Sequence, residues 1–467
     1  MALVSIIDSN DYTLRAVART SYRAEEAGEA SHPWSAGRPS ARYPVCSATV
    51  PPEVDHAPAR RRLEHDVSSG PLDDLRVIEV ANWLAAPGAA AMMADMGADV
   101  VKIEPPQGDF YRGYMMATRG NGGVNYNFEL ENRGKRSITL DLTNPASAEV
   151  VKRLCTDADI FITNLVRERF ERFGLTYEEL REANPRIIYA AITGFGTRGP
   201  NADKPGFDAS SFWAASGIMG VMGDENQPPV ISRGGQGDHP TAVTALAAIL
   251  AALRHRDRTG ESQFVDVSLQ RAGVWALGAD IQQQLAGLPE RPRQDRTTQG
   301  MITWNPYRTG DGRWIMLVMN DPPRYWNRFA RCIDREDLVD DPRYVTTDQL
   351  LQHGPALIAE LDTIFASHDL AHWSQRLDKY DCLWSPAASV AEVIDDPQLN
   401  EYDAFPTVTA EDGTTYRTVG TPFEIAGAQI HPRGAAPATG AHTLEVLAER
   451  GFADGEIADL AASRVFG

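Results

Sequence analysis

The sequence predicts an α/β protein: a large domain built on a Rossmann-like, doubly wound parallel sheet, and a smaller α+β domain. Three observations lead to this prediction. Short β-branched runs alternate with helical segments from residue 76 onward, and strand–helix–strand units imply parallel strands. The 467 residues are too many for a single hydrophobic core. A stretch rich in Pro, Arg, Gln and Thr at 289–299 interrupts the apolar periodicity and marks a domain boundary.

The regular elements begin after Pro71. Residues 76–81 form a buried strand because they are rich in β-branched side chains. Gly97 then ends a helix, and a second strand follows. The same reasoning gives strands at 76–81, 98–104, 136–141, 159–164, 186–192 and 263–268, and helices at 84–97, 145–158, 167–173, 176–183, 212–220, 243–253 and 269–288. Ligands of such sheets bind beyond the carboxyl ends of the strands.

These patterns divide the chain into four parts. Residues 1–70 carry too many prolines for regular elements and form an irregular arm. Residues 71–290 form the first part of the large domain, which we expect to bind the ligand. Residues 291–390 form the small α+β domain, and residues 391–467 form a C-terminal segment that returns to the large domain.

Composition excludes several classes of partner. A formal net charge of -19 disfavours nucleic acid and anionic membranes, which both require a basic surface. The four cysteines are scattered without a CxxC pair, so we expect neither a disulfide framework nor a metal cluster. No signal peptide is recognisable at the N-terminus, and no apolar run approaches the roughly 18 residues of a membrane span. We therefore expect a cytoplasmic protein.

The candidate site is a glycine-rich loop that precedes an Ala- and Leu-rich helix. Gly235 and Gly237 leave the backbone open to a close ligand, and Asp238 follows directly. Asp238 either caps the helix, as Asp commonly does, or delivers a reactive carboxylate, and the two roles can coexist. His239 is either an acid or base beside it or a solvent-facing residue of the first turn.

Other common motifs are absent from the sequence. No GxGxxG follows the first strand, and no phosphate-binding GxxxxGK[ST] loop or GxSxG nucleophile elbow occurs. His368 and His372 have the i, i+4 spacing of zinc helices, but the sequence offers no third ligand. We therefore predict a surface helix at this position and no metal site.

Several ordered motifs resemble the class III CoA-transferases of the CaiB/BaiF type. That family includes formyl-CoA transferase, the carnitine CoA-transferase type and α-methylacyl-CoA racemase. The resemblance extends from about Pro71 to the C-terminus and is strongest in its first 200 residues or so. The motifs lie at residues 71–104, 132–141, 159–164, 172–175, 192–200, 205–208 and 259–268.

The resemblance implies that Asp238 is a covalent nucleophile. Its substrates would be an acyl-CoA and a carboxylic acid, with coenzyme A as the transferred group and no metal. A carboxylate with an ordinary pKa of about 4 is ionised at pH 7, so attack on a thioester needs no separate base. The resulting anhydride and aspartyl-CoA thioester carry CoA to the acceptor. The resemblance also implies an interlocked homodimer.

The resemblance further implies residues that bind CoA. Asn164, Leu165 and Val166 correspond to residues that line the pantetheine, and Arg172 corresponds to a phosphate contact. Lys102, Lys135 and Arg136 are additional candidates for the anionic nucleotide, through charge-assisted hydrogen bonds.

Two alternatives to the transferase stay open. Racemases of the family place His before Asp in a Gly-His-Asp motif, whereas this chain has Phe207 before Asp208. Proton exchange at an α-carbon would then lack one base, unless His239 replaces it. Asp208 itself either positions substrate or caps the helix that follows. The other alternative is a CoA-binding subunit without catalysis.

Overall fold

A six-stranded parallel sheet forms the centre of the large domain. The computed structural model describes residues 70–114, 125–293, 295–298 and 300–467, so the predicted arm lies outside the described residues except for Gly70. The strands are β1 (Arg76–Val80), β2 (Asp99–Glu104), β3 (Arg136–Thr139), β4 (Ile160–Thr163), β5 (Ile188–Thr193) and β6 (Gln263–Ser268). Their order is β3-β2-β1-β4-β5-β6, which confirms the predicted Rossmann-like doubly wound sheet. Strands are added toward one edge of the sheet from β1 to β3 and toward the other edge from β4 to β6. This change in the direction of strand addition lies between β1 and β4, where such folds bind ligands.

Helices cover both faces of this sheet. Met93 and Leu246 belong to the core on one face, and Val151 and Leu154 to the core on the other. Full burial of one such side chain stabilises the fold by about 2 kcal/mol. The helices of the large domain are α1 (Ala85–Asp95), α2 (Tyr126–Asn132), α3 (Ala146–Cys155), α4 (Arg167–Arg172), α5 (Tyr177–Ala183), α6 (Ile218–Val221), α7 (Asp238–Thr259), α8 (Leu269–Ala276) and α9 (Gly278–Leu285).

Three predicted helices differ from the structure. The segment predicted as a helix at 212–220 begins earlier, as a π-helix at Asp208–Ala214, and is then interrupted at Gly217, whose φ is +95°. The predicted helix 269–288 is two helices, α8 and α9, which meet at Leu277. The helix predicted to follow Asp238 begins at Asp238 and extends beyond residue 253 to Thr259, and Gly260 follows it in the left-handed conformation.

The smaller domain is an antiparallel sheet packed against helices, as predicted. Its strands are β7 (Pro306–Arg308), β8 (Trp314–Leu317) and β9 (Trp384–Pro386), in that spatial order. Its main helices are α10 (Pro322–Cys332), α11 (Thr347–Ala366) and α12 (Leu370–Lys379). Trp326, Phe329 and Phe365 are buried at its centre, separate from the two cores of the large domain.

The last part of the chain packs on the large domain. Val446, Leu447 and Val465 join the core that contains α3. The elements of this part are α13 (Val390–Ile394), α14 (Pro397–Glu401), β10 (Thr407–Thr409), β11 (Thr415–Arg417), α15 (Thr443–Glu449) and α16 (Asp454–Ala462). Among the described residues, no helix is both long and apolar enough to cross a membrane.

Candidate active site

Asp208 holds the glycine loop that precedes α7. The Gly237 N–H donates to both carboxylate oxygens of Asp208, at 3.1 Å each. A Cβ atom on Gly237 would lie 2.3 Å from Phe212 Cγ and 2.4 Å from Asp208 Oδ1, so this position accepts only glycine. Asp208 and Phe212 both belong to the π-helix, a rare element that is frequent at functional sites. Asp208 therefore fixes the loop that leads to Asp238.

Asp238 is the first residue of α7 and is 9% exposed. Its carboxylate makes no hydrogen bond with any residue that the structure describes, and the helix cap is Gly237. The interpretation of Asp238 as a capping residue is therefore wrong. Burial, together with the smaller effects of the nearby charges of Asp208 and Glu131, raises the pKa of Asp238 to about 7. An ordinary carboxylate pKa of about 4 is thus also a wrong expectation for this residue.

Glu131 is a site residue that the sequence analysis missed. It lies in α2 with its side chain 2% exposed, and its Oε1 is 2.6 Å from His239 Nε2. The absence of a side chain on Gly88 makes room for Glu131, because a Cβ there would lie 2.5 Å from Glu131 Oε2. The hydrogen bond that His239 donates to Glu131 raises the pKa of His239, whose side chain is 49% exposed. Glu131 directly precedes one of the quoted motifs, and that position was its only signal in the sequence.

Gly235 brings two other side chains of the site together. Its φ of +90° is a conformation that glycine adopts readily. A Cβ built on it would lie 3.2 Å from His239 Cε1 and 3.3 Å from Leu84 Cδ2. Leu84 belongs to the turn after β1, so the loop, α7 and the carboxyl edge of the sheet meet at this point.

The lysines predicted to contact the nucleotide lie in the core. Lys102 Nζ is 2.9 Å from Glu79 Oε1 and 3.0 Å from Asp109 Oδ2, and Lys135 Nζ is 2.6 Å from Glu79 Oε2. The side chains of all four residues are fully buried. Burial raises the pKa of Glu79, but the two lysines outweigh it and hold the pKa below its usual range. Both lysines would have to leave these partners to reach a phosphate.

The other predicted CoA contacts lie nearer the surface. Asn164 follows β4 and its side-chain amide bonds both to the backbone N–H and to the backbone carbonyl of Asn82. Leu165 is buried and Val166 half-buried. Arg172 is exposed and makes no ion pair among the described residues. Arg136 instead contacts Asp99, Glu445 and Glu449 on another part of the surface.

The fold and the site together define a class of protein: a two-domain α/β protein with a buried carboxylate beside the ligand edge of its sheet. Among the described residues, no group of three or more His, Cys, Asp or Glu side chains is placed to hold a metal ion. The family model described as CoA-transferase family III matches residues 72–443. The chain belongs to this family and is a CoA-transferase.

Characterised relatives share most of the chain. It is 30% identical to the (R)-2-hydroxy-4-methylpentanoate CoA-transferase of Clostridioides difficile, over 84% of this chain and 99% of that protein. It is 33% identical to the succinate–glutarate CoA-transferase of Agrobacterium fabrum, over 81% of this chain and 95% of that protein. The crystal structure of a CaiB/BaiF family protein from Brucella suis superposes with a TM-score of 0.73 at 28% identity, covering 82% of this chain and all of that one.

The close fit around Gly237 generates a prediction. We expect Gly237→Ala to lower CoA-transferase activity about a hundredfold, because the new Cβ must displace Asp208 or Phe212 and shift Asp238 with them. We also expect a lower unfolding temperature. Thermal unfolding and a steady-state assay measure both effects. Gly234→Ala is the matched control for folding, since its Cβ meets nothing within 4 Å. A Gly237→Ala variant with wild-type activity would contradict the role given to this loop.

Proposed function

We propose that the protein is an acyl-CoA:carboxylate CoA-transferase in which Asp238 is the covalent nucleophile. The observation that carries the proposal is a buried carboxylate at the start of α7 without a hydrogen-bond partner among the described residues. A carboxylate without partners destabilises the fold when it ionises, and such groups cluster at functional sites. Membership of a CoA-transferase family and the glycine loop beside Asp238 support the same assignment.

In the first half-reaction the ionised Asp238 attacks the thioester carbonyl of the acyl-CoA. The bond from an Asp238 oxygen to the acyl carbon forms, the carbon–sulfur bond breaks, and CoA leaves as its thiolate. The product is a mixed anhydride, which keeps the acyl group activated. The thiolate then attacks the Asp238 carbonyl of the anhydride. This second attack yields an aspartyl-CoA thioester and releases the donor acid as its carboxylate.

The second half-reaction reverses these steps with the acceptor acid. Its carboxylate attacks the aspartyl thioester, expels the CoA thiolate and forms a new mixed anhydride. The thiolate attacks the acceptor carbonyl, which gives the new acyl-CoA and returns Asp238 to its ionised form. Each step moves an electron pair between a carboxylate and a thiolate, so no external base or oxidant is required.

We assign His239 an auxiliary electrostatic role in these steps. Glu131 raises the pKa of His239 and so favours the imidazolium form. A half-exposed cation next to Asp238 attracts the acceptor carboxylate and stabilises the departing thiolate. The Gly237 amide is already bound to Asp208, which supports a structural role for Gly237.

For CoA we propose a path across the carboxyl ends of β1 and β4. Asn164, Leu165 and Val166 follow β4 at the point where the strand order reverses, which is where doubly wound sheets bind ligands. Arg172 supports this path because its exposed guanidinium makes no ion pair among the described residues and can therefore bind a phosphate.

The first prediction from this mechanism concerns covalent trapping. We expect Asp238→Asn to abolish CoA transfer, because an amide does not form the anhydride. Wild-type protein incubated with an acyl-CoA and hydroxylamine should gain a hydroxamate on Asp238, detected by peptide mass spectrometry, and lose activity. Transfer by the Asp238→Asn variant at the wild-type rate would contradict the mechanism. Deuterium uptake at the α-carbon without an acceptor acid would instead indicate a racemase, and no reaction at all a CoA-binding subunit.

A second prediction concerns pH. Since Asp238 must be ionised to attack and its pKa is raised to about 7, kcat/KM should fall tenfold per pH unit below about pH 7. Asp208→Asn keeps a hydrogen-bond acceptor for Gly237 but removes one negative charge. The pKa of Asp238 should then fall, and the acidic limb should move to lower pH. Asp348→Asn, in an exposed position of the small domain, is the matched control. An unchanged limb in Asp208→Asn would contradict the contribution of Asp208 to the shift, which adds to the larger effect of burial.

We further propose that the protein is an interlocked homodimer. Trp275 is 86% exposed, Leu285 77% and Leu288 51%, so the segment around α8 and α9 presents a large apolar surface. Surfaces of this kind mark contacts with another chain. Light scattering should give twice the chain mass of 51.2 kDa, and Trp275→Asp should shift the protein toward single chains. A wild-type protein with the mass of one chain would rule out the dimer.

A further inference from the structure

Five aromatic rings form a cluster beside the candidate nucleophile. Trp83 lies at its centre, with ring centroids 5.3–5.6 Å from those of the other four rings. We call this set the ring cluster. Its members are Trp83, Phe110, Tyr111, Tyr114 and Phe207. They come from the turn after β1, the segment after β2 and the residue before the π-helix, so the fold brings together rings that are distant in sequence.

The backbone of Trp83 is held in an unfavourable conformation to place its ring there. Its φ is +67°, a region in which bulky residues are uncommon and which costs about 1–3 kcal/mol. Hydrogen bonds on the preceding residues maintain it: Lys102 donates to the Ala81 carbonyl, and Asn164 holds both backbone groups of Asn82. Strain of this kind persists only where surrounding contacts determine it, and it is common at ligand sites.

The ring cluster lies next to Asp238. Phe207 directly precedes Asp208, which binds the amide of Gly237. Tyr111 is close enough that the charges of Glu131 and Asp238, after burial, contribute to raising its pKa to about 12. The rings are also accessible, since Phe207 is 54% and Phe110 69% exposed. A ligand on Asp238 therefore has aromatic surface within reach.

The charges around Asp238 disfavour a second anion. Asp208 and Glu131 already raise its pKa, and the cation that opposes them, His239, is hydrogen-bonded to Glu131. Lys102 and Lys135 are buried against Glu79 and offer no free charge to a ligand. A substrate side chain with its own carboxylate would compete with the reacting carboxylate for His239 and meet repulsion from Asp208 and Glu131.

We propose that the substrates of this enzyme are carboxylic acids, and their CoA thioesters, whose side chain is uncharged and carries an aromatic ring. The ring binds against the ring cluster, where Phe207 offers an accessible aromatic face. This inference rests on the proposed function, because donor and acceptor acids bond in turn to the same Asp238 and so place their side chains in the same subsite. The relatives named above act on a branched hydroxy acid and on dicarboxylates, so family membership does not select the class.

Three thioesters that differ only at the far end of the side chain test the proposal. They are 3-phenylpropanoyl-CoA, butyryl-CoA and succinyl-CoA, which carry a phenyl, a methyl and a carboxylate group on the same two-carbon chain. Each is mixed with the full-length protein and the isotopically labelled form of its own acid. Mass spectrometry then measures the entry of label into the thioester. This identity exchange requires no knowledge of the natural acceptor.

We expect kcat/KM for exchange to be at least about tenfold higher for the phenyl than for the carboxylate thioester, a difference of about 1.4 kcal/mol. Phe207→Ala should lower the ratio of phenyl to methyl exchange at least about threefold. Phe264→Ala, which removes a ring near the other end of the sheet, is the control and should leave that ratio unchanged. Trp83→Phe serves as a second variant that keeps an apolar ring at the centre of the cluster, and it should lower the ratio less than Phe207→Ala.

The outcomes separate the two proposals. Exchange that depends on Asp238 but is as fast for succinyl-CoA as for 3-phenylpropanoyl-CoA would overturn the aromatic substrate class and leave the transferase mechanism intact. A phenyl preference that Phe207→Ala does not reduce would overturn the assignment to the ring cluster. The absence of exchange and of Asp238 modification with all three thioesters would overturn the proposed function itself.

Discussion

The hydrogen bonds from the Gly237 amide to Asp208 determine the geometry of the site. They join the π-helix to the loop before α7, and the lack of a side chain on Gly237 lets Phe212 and Asp208 approach it closely. Burial is the main cause of the raised pKa of Asp238, and the same contact adds to it by placing the negative charge of Asp208 nearby. One interaction thus fixes the position of the proposed nucleophile and contributes to the pH range in which it is ionised.

This arrangement makes ionised Asp238 more reactive but lowers its ionised fraction in acid. A carboxylate with a pKa near 7 is a stronger base and nucleophile than one with an ordinary pKa, because the protein does not solvate its charge. Near Asp238, His239 adds one positive charge and Glu131 adds a second negative charge beside that of Asp208. The charges of these residues therefore influence one another's pKa values.

The buried ion pairs beneath the site serve a different purpose. Lys102 and Lys135 share Glu79, and each also donates to a backbone carbonyl in the turn or helix that follows β1. Together with Asn164 they fix the turn that carries Trp83 and Leu84. Residues chosen from the sequence as nucleotide contacts thus support the surface on which the ligand would lie. Among the cations predicted to contact CoA, Arg172 is exposed and makes no ion pair with the described residues.

The sequence alone determined the order of the six strands of the large domain along the chain, because β-branched runs are a local property, but it did not predict α2, which carries Glu131. It also determined that a glycine loop leads into a helix at Asp238. Only the tertiary structure decided the charge state of Asp238, the partner of His239 and the aromatic surface beside them. The reason is that burial and Coulomb interactions depend on distances between α2, the π-helix and α7, which are far apart in the chain. The π-helix at Asp208–Ala214 was equally hidden, since its packing of Phe212 against Gly237 joins residues that are distant in the sequence.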